Sequence, residues 1–592
     1  VKLAGPGLSG EHWATGVTWN PADAERLSTS PFRHFWDGNL FNRVELARQL
    51  GLPLKGPDPH VAASAFSRWG VGCLDKLEGD FVFAVWDPER QSLFAARDAL
   101  GMRPFYYIAN RRMFAFASEI RPLLALIGAP ASINRETVAD HLLCVPHDPS
   151  ATFYQGVSAL PAGHYLIAEK GRLIVRKFWA LNVDQELDTH PSGEIESLFR
   201  STLEDAVRFR LAEGGPTGVT LSGGLDSSTV LCIASDLQKQ GKTGAIHSFS
   251  VRFQQTPECD EGGYIQAVLS RTGVPHTDVR GELISPLSAF KELLPFLEEP
   301  SLAQNLHLWL GLYQTARQCG VTVLLDGHDG DTAVSDGLGR LRELVAESDR
   351  LQFCYEAWLY SNRLNKRFWP YLRAILLPSL VPPLFREIGR DLRRGQLGQT
   401  DPPVNFLNPE FARETDAFGR NATRLAAPPQ YTSQRERHVQ RLTGGFGSHA
   451  STVLAKMGRG LGIDPRHPFY DRRFLELCVA LPSEFKLKDG WTRYILRKSF
   501  ERIVPDVVRW RPGKTRLGRQ FDKAFRGPDA AALKEIVRDQ DRLLEPFVNM
   551  VELRSLLDRY MQTGSDKEGT QLWAAATLAI WLRETRGTGV HA

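Results

Sequence analysis

The sequence predicts an α/β protein in two unequal parts. The first is a strand-rich region of α+β type, and the second is a larger region built on a parallel sheet with helical additions. Three observations carry this. Apolar, strand-like runs separated by turn residues crowd the stretch up to residue 183. Beyond residue 194, strand, loop and helix alternate, with strand-like segments at 219–222, 247–253, 276–280 and 321–325. That order builds a parallel sheet and puts ligands at the strand C-termini. Between the first of these strands and its helix, Ser222-Gly223-Gly224-Leu225-Asp226-Ser227-Ser228 packs glycines, hydroxyls and an acid into one turn.

Taken in chain order, residues 44–51 and 61–69 read as helices. Strands follow at 81–86, 92–98, 104–108 and 113–117, broken by turn signals such as Asp87-Pro88. A helix is expected at 135–143, with Glu136 in its first turn. A hairpin at 164–168 and 173–175 turns on Glu169-Lys170-Gly171. Residues 184–193 form a polar linker that separates a domain at 1–183 from one at 194–592. The second opens on an amphipathic helix at 194–211, with Ile195, Leu198, Phe199, Leu203 and Val207 at helical spacing. Beyond Arg340 the chain turns helical and richer in arginine. Residues 391–440 are weakly patterned and read either as a cover over the site or as plain surface.

Composition narrows the function classes. Across 592 residues, 42% apolar and 24% charged content describe a globular chain with ample core. The net charge of +4 comes from interspersed charges, so nothing points to nucleic acid. The 7 cysteines are scattered without C-x-x-C pairs, which points to reduced thiols and a cytoplasmic location. No signal-peptide pattern is present. Residues 369–385 are apolar, but the run is short for a membrane helix and is broken by Pro370, Pro378, Pro382 and Pro383.

The turn at Ser222 carries the first chemistry. Gly223 and Gly224 let the backbone turn sharply and approach a ligand. The following helix N-terminus offers free N–H groups and a positive dipole end, which favour an anion. Asp226 beside a phosphate repels it unless a cation lies between, and magnesium suits oxygen ligands and phosphates. The turn is not a Walker A loop, because Gly-Lys-Thr at 241–243 and 513–515 lacks the upstream glycine, with Asp236 and Val508 in its place. A second acidic motif, Asp326-Gly327-His328-Asp329-Gly330-Asp331, ends the apolar run Val323-Leu324-Leu325. Acids at a strand C-terminus are well placed to hold a metal against phosphates. Asp326 and Asp329 have the alternative role of capping the next helix.

The Ser222–Ser228 stretch resembles the pyrophosphate-binding loop of ATP pyrophosphatases, in their asparagine-synthetase-like branch. That branch includes β-lactam synthetases and lasso peptide cyclases. The resemblance implies ATP cleavage between the α and β phosphates, adenylation of a carboxylate and capture by an amine. It implies ATP and Mg2+ as cofactors. The N-terminal region resembles the branch's glutaminase-type domain, an Ntn-type α+β sandwich, through Asp37-Gly38-Asn39-Leu40-Phe41-Asn42, Leu77 to Ala84 and Ala96 to Pro104. Glutaminases of this kind use an N-terminal cysteine, whereas this sequence opens Val1-Lys2-Leu3, and Asp37 replaces the asparagine that forms the oxyanion site. The domain therefore reads as degenerate.

The resemblance also distributes roles. Leu221 to Ser228, Ser250, Val251 and Gly327 would bind ATP and its pyrophosphate. Asp226 and Asp331 would hold magnesium. Trp510-Arg511-Pro512-Gly513-Lys514 resembles the branch's Arg-x-Lys motif, so Lys514 would bind the α-phosphate and stabilise the tetrahedral intermediate. The stretch Asp489-Gly490-Trp491-Thr492-Arg493-Tyr494-Ile495-Leu496-Arg497 before it also matches. Asp464, in Gly462-Ile463-Asp464-Pro465-Arg466-His467-Pro468-Phe469-Tyr470-Asp471, aligns with a catalytic glutamate, and His328 with its tyrosine partner. The two are candidates for the base that takes the amine's proton. The competing reading of Asp464 is that it only fixes Arg466 or a turn. Glu299, Asp329 and Arg466 are candidates for substrate contact.

The acidic motif, the segment around His467 and the Asp489–Arg497 stretch together resemble lasso peptide cyclases. These adenylate an Asp or Glu side chain of a precursor peptide and join it to the peptide's N-terminal amine. A precursor peptide, a leader peptidase and a leader-binding protein are then the expected partners. The alternatives are a β-lactam-synthetase-type or other small-molecule amide synthetase, a glutamine-dependent asparagine synthetase if the N-terminus is truncated, and a noncatalytic nucleotide-binding scaffold.

Overall fold

The computed structural model describes residues 14–17, 33–110, 113–127, 132–182, 184, 187, 191–212, 214–371, 375, 406–426, 431, 433–444, 446–513, 518–538 and 542–586. The N-terminal part is a sandwich of two sheets. The strands are β1 (Ala14–Val17), β2 (Arg33–Leu40), β3 (Gly79–Asp87), β4 (Ser92–Arg97), β5 (Tyr106–Ala109), β6 (Met113–Ala117), β7 (Ser158–Ala159), β8 (His164–Glu169) and β9 (Arg172–Lys177). One sheet runs β2-β3-β4-β8-β9 and the other β1-β6-β5-β7. Strand alternation explains the layers. In β3, Val82 and Ala84 face the second sheet, while Phe81, Phe83 and Val85 pack beneath the helices Arg43–Leu50 and Asp58–Trp69.

The second part is a parallel sheet. It is built from β10 (Thr217–Thr220), β11 (Ile246–Arg252), β12 (His276–Arg280), β13 (Val323–Leu325) and β14 (Asp464–Arg466) in the order β12-β11-β10-β13-β14. Helices cover both faces, as a parallel sheet requires. Helices Ser192–Arg210, Leu225–Lys239 and Arg472–Ala480 bury one face against Val219, Val323 and Leu325. Helices Pro286–Leu297, Leu306–Gln318 and Asp566–Arg586 bury the other against Phe249, Val279 and Leu324. Of the expected apolar stripe on Ser192–Arg210, Ile195, Phe199, Leu203 and Val207 are buried, but Leu198 points to solvent.

The expected strands and helices of both parts are present within a few residues. β1, β2 and β7 went unread in the first part, and so did β14 in the second, which is only Asp464-Pro465-Arg466, too short and too polar to stand out by periodicity. The two parts also share a core. Tyr106, Ile108 and Phe153 join Leu297, Trp573 and Trp581 in one apolar cluster. The polar linker therefore separates two sequence patterns, not two independent cores. Residues 376–405, which hold most of the apolar run after Trp369 and part of the weakly patterned stretch, lie outside the described residues. Among the described residues no helix is long and apolar enough to cross a membrane.

Candidate functional site

The site lies at the C-terminal ends of β10 and β13, where two loops meet. After β10 the chain turns at Gly223, whose φ of +74° is a left-handed conformation that favours glycine. Gly224 then caps the helix Leu225–Lys239. Ser227 Oγ accepts from Ser222 N at 3.1 Å and lies 3.0 Å from Ser222 Oγ, so the turn is tied to its own helix. Ser250 Oγ, on the neighbouring β11, donates to the carbonyl of Leu221. Val251 follows it, half-buried against Phe253 and Leu308. Ser228 Oγ is buried with no protein partner. The turn, Leu221 to Ser228 with Ser250 and Val251, is thus assembled as one surface, and its free N–H groups suit a phosphate.

The loop after β13 packs directly on this turn. A Cβ on Gly327 would stand 2.4 Å from Ser227 N, and one on Gly330 would stand 2.7 Å from Asp226 Cγ. Only glycine permits that approach, and it brings the short helix Gly330–Ala333, with Asp331 in its first turn, beside Asp226. Asp226 is 4% exposed and is met by Arg493, whose Nη1 donates to its two carboxylate oxygens at 2.5 and 2.7 Å. Burial opposes charge on Arg493, but Asp226 and then Asp331 outweigh it and raise its pKa. A cation therefore already faces Asp226. Among the described residues no group of 3 or more His, Cys, Asp or Glu could hold a metal on its own. Magnesium needs only one or two carboxylates when phosphates supply its other ligands, and Asp226 with Asp331 fits that donor set.

On the other side of the loop, Asp326 ties two strands together. Its Oδ1 accepts from His328 N at 3.0 Å and lies 2.9 Å from His467 Nδ1, just after β14. Burial opposes charge on both partners, yet each carboxylate–imidazole interaction wins: Asp326 is held below the usual carboxyl range and His467 above the usual imidazole range. His328 is pushed the other way, by burial and then by the charge of His467. Its Nε2 is buried and has no protein partner.

Four of the candidates are engaged with protein partners. Asp464 sits at the start of β14, level with Val323 and a strand's length below the C-terminal ends. It is ion-paired with Arg103 and, at 2.8 Å, with Arg466. Burial favours its neutral form, but the two arginines hold its carboxyl far below the usual range. Such a carboxylate is a poor base, and the reading in which it fixes Arg466 describes it. Arg466 spends its guanidinium on Asp464, Asn39 Oδ1 at 3.0 Å and the carbonyls of Arg210 and Leu211. It braces the two parts of the molecule, with four of its five N–H donors on protein acceptors. Asp329 accepts from Tyr470 Oη at 2.7 Å and Thr332 Oγ1 at 2.6 Å, so it supports the loop. Glu299 accepts from Phe153 N at 2.8 Å and lines a cavity of about 310 Å³ between the two parts, away from the turn at Ser222.

Lys514 lies outside the described residues. Just before it, Arg511 bonds Glu261 and lies 3.4 Å from the carbonyl of Gly223, which brings that segment to the turn. Sequence reasoning missed Arg493, Arg511 and the Asp326–His467 pair. The matching stretches around Arg493 and Arg511 pointed there, but nothing in a single sequence says which basic residue of a run turns inward.

Comparisons with known proteins follow the same division. Residues 198–583 match the family model for asparagine synthase, and residues 32–179 match that for a glutamine amidotransferase domain. The asparagine synthetase [glutamine-hydrolyzing] 3 of Bacillus subtilis is 26% identical over 88% of this chain and 81% of its own length. Amidase chry2 of Gibberella zeae is 29% identical over 50% of this chain and 46% of its own. A putative asparagine synthetase [glutamine-hydrolyzing] 2 of Methanocaldococcus jannaschii is 28% identical over 41% of this chain and 46% of its own.

Proposed function

The chain belongs to the asparagine synthase family of ATP-dependent, amide-forming carbon–nitrogen ligases that release AMP and pyrophosphate, and from that premise we propose that it is a peptide cyclase of the lasso type. Its substrate is a leaderless precursor peptide. An Asp or Glu side-chain carboxylate of the peptide attacks the α-phosphate of ATP, forming an acyl-adenylate and releasing pyrophosphate. The peptide's N-terminal amine then attacks the acyl carbon, AMP leaves, and the amine's proton passes to a base. The net change in the peptide is the loss of one water.

The observation that carries the reading is the contact between the two loops, which gathers Asp226, Asp331, Arg493 and His328 around the turn at Ser222. The turn's N–H groups would hold the β and γ phosphates. Magnesium, held by Asp226 and Asp331, would supply charge neutralisation between those phosphates. Arg493, and Lys514 by the family motif, would meet charge that develops at the α-phosphate. His328, held neutral beside His467, is the group suited to take the amine's proton. Asp37 favours a peptide amine over ammonia drawn from glutamine. It stands where a glutaminase needs an asparagine and is bound by Arg459 from the other part of the molecule. A leader peptidase and a leader-binding protein would deliver the substrate.

Incubation with ATP, Mg2+ and a leaderless precursor peptide of the lasso type tests the reading. AMP, pyrophosphate and a peptide lighter by one water are expected. AMP without peptide change, but with small carboxylates consumed, would move the assignment to a small-molecule amide synthetase.

A further inference from the structure

The Asp326–His467 pair ties the segments after β13 and β14 together, and both side chains are almost fully buried, at 2% and 3% exposure. A buried ion pair is costly to desolvate, and apolar residues of similar size commonly serve stability as well. What this pair touches is more specific. Asp326 accepts from the backbone N–H of His328, closing the turn on which that residue sits. It also holds the His467 ring 5.4 Å, centroid to centroid, from the His328 ring. Tyr470 stacks on His328 at 6.0 Å, and Trp309 meets it edge-on at 6.5 Å. The imidazole is thus held on three sides, while its buried Nε2 has no protein partner. A buried ring nitrogen left without a partner is expected to find one in a ligand or a water.

We propose that Asp326 and His467 are positioning residues for His328, a buried carboxylate–imidazole pair that sets the orientation of its ring toward the attacking amine. The inference rests on the reading of His328 as the amine's base. The titratable groups facing His328 are His467 and Tyr470 from the segment after β14 and Asp326, Asp329 and Asp331 from its own loop. Of these, His467 acts most strongly after burial, and it disfavours charge on His328. Within the pair it is His467 that opposes charge on the base, while Asp326 favours it.

The test separates the two half-reactions. Adenylation is followed as AMP release with hydroxylamine trapping the leaderless peptide as its hydroxamate, which needs no enzymic base. Amide formation is followed as the peptide's loss of water. In His467→Asn, amide formation is expected to fall about tenfold or more, by analogy with general-base losses. Hydroxamate formation should stay within about twofold, judged against the 10–100-fold cost usual for supporting contacts at a site. The acidic limb of the amide-forming pH profile should move upward, because the charge that depressed His328 is gone. A double replacement, Asp326→Leu with His467→Leu, removes both charges at once and guards against a folding defect in the single variant. It should keep thermal stability and lose amide formation. Equal loss of both half-reactions, or unchanged amide formation with an unmoved acidic limb, would overturn the proposal while leaving the cyclase reading intact. A wild-type enzyme that forms hydroxamate but no cyclic peptide would overturn the cyclase reading itself.

Discussion

Asp464 carries a charge fixed by two arginines, and its side chain keeps 26% exposure along an internal boundary between the two parts of the molecule. Breaking such a pair leaves uncompensated arginine charge, which typically costs about 3 kcal/mol or more. Asp464→Asn is therefore expected to lower stability in denaturant unfolding at neutral pH. The sign with pH follows from its depressed carboxyl. The contribution is complete above the ordinary carboxyl pKa of about 4 and fades as pH falls below it toward the folded value. The gap between wild type and Asp464→Asn should narrow below about pH 4. Asp226→Asn behaves differently. It strips the carboxylate that faces Arg493 and the turn, so AMP release should fall about a hundredfold or more, the scale for losing a transition-state electrostatic contact. At this scale the sequence revealed chemistry but not commitment. Motifs mark Asp226 and His328 as candidates, and both lie on the two loops that meet at the turn. Asp464, Arg466 and Asp329 share the same motif grammar, and only the structure shows the protein partners that engage them.

The two loops that form the site are short, and their geometry depends on close backbone approach. Gly327→Ala places a methyl group 2.4 Å from Ser227 N, so one loop must move. Overpacking of this kind typically costs about 1–3 kcal/mol. The substitution should raise the apparent KM for ATP and cut adenylation by about tenfold, checked by AMP release across an ATP titration. Most elements could be read directly. The alternating burial of β3 and the 3.6-residue stripe of Ser192–Arg210 are strong periodic signals. β14 escaped because three residues give no period, and its pairing with β13, remote in sequence, is something no local pattern encodes.

At the scale of the whole molecule, the N-terminal sandwich is bolted to the synthetase sheet by charge as well as by the shared core. Arg210 is 1% exposed and pairs with Asp471 at 2.9 Å and Asp80 at 3.6 Å, while Arg459 reaches Asp37. The Asp37 pair is partly exposed, so Arg459→Ala should change stability by only about 1 kcal/mol or less. Freeing Asp37 in this way should not create glutamine hydrolysis, measured as glutamate release, because a carboxylate repels the oxyanion that an asparagine would stabilise. The division into two parts was visible in the sequence, but their joining was not, since the paired charges lie hundreds of residues apart. That joining is why the matched glutamine amidotransferase domain reads as part of the synthetase's framework.

The most direct measurement is the fate of carboxylate oxygen. A leaderless peptide labelled with 18O in its Asp or Glu side-chain carboxylate is turned over with ATP, and the phosphorus products are separated by mass. If the turn at Ser222 holds pyrophosphate while the carboxylate takes the α-phosphate, the label appears in AMP and the peptide emerges lighter by one labelled water. Label in orthophosphate, with ADP as its companion, would mean that the bond is broken at the γ-phosphate and that the site built around Asp226, Asp331 and Arg493 does something else.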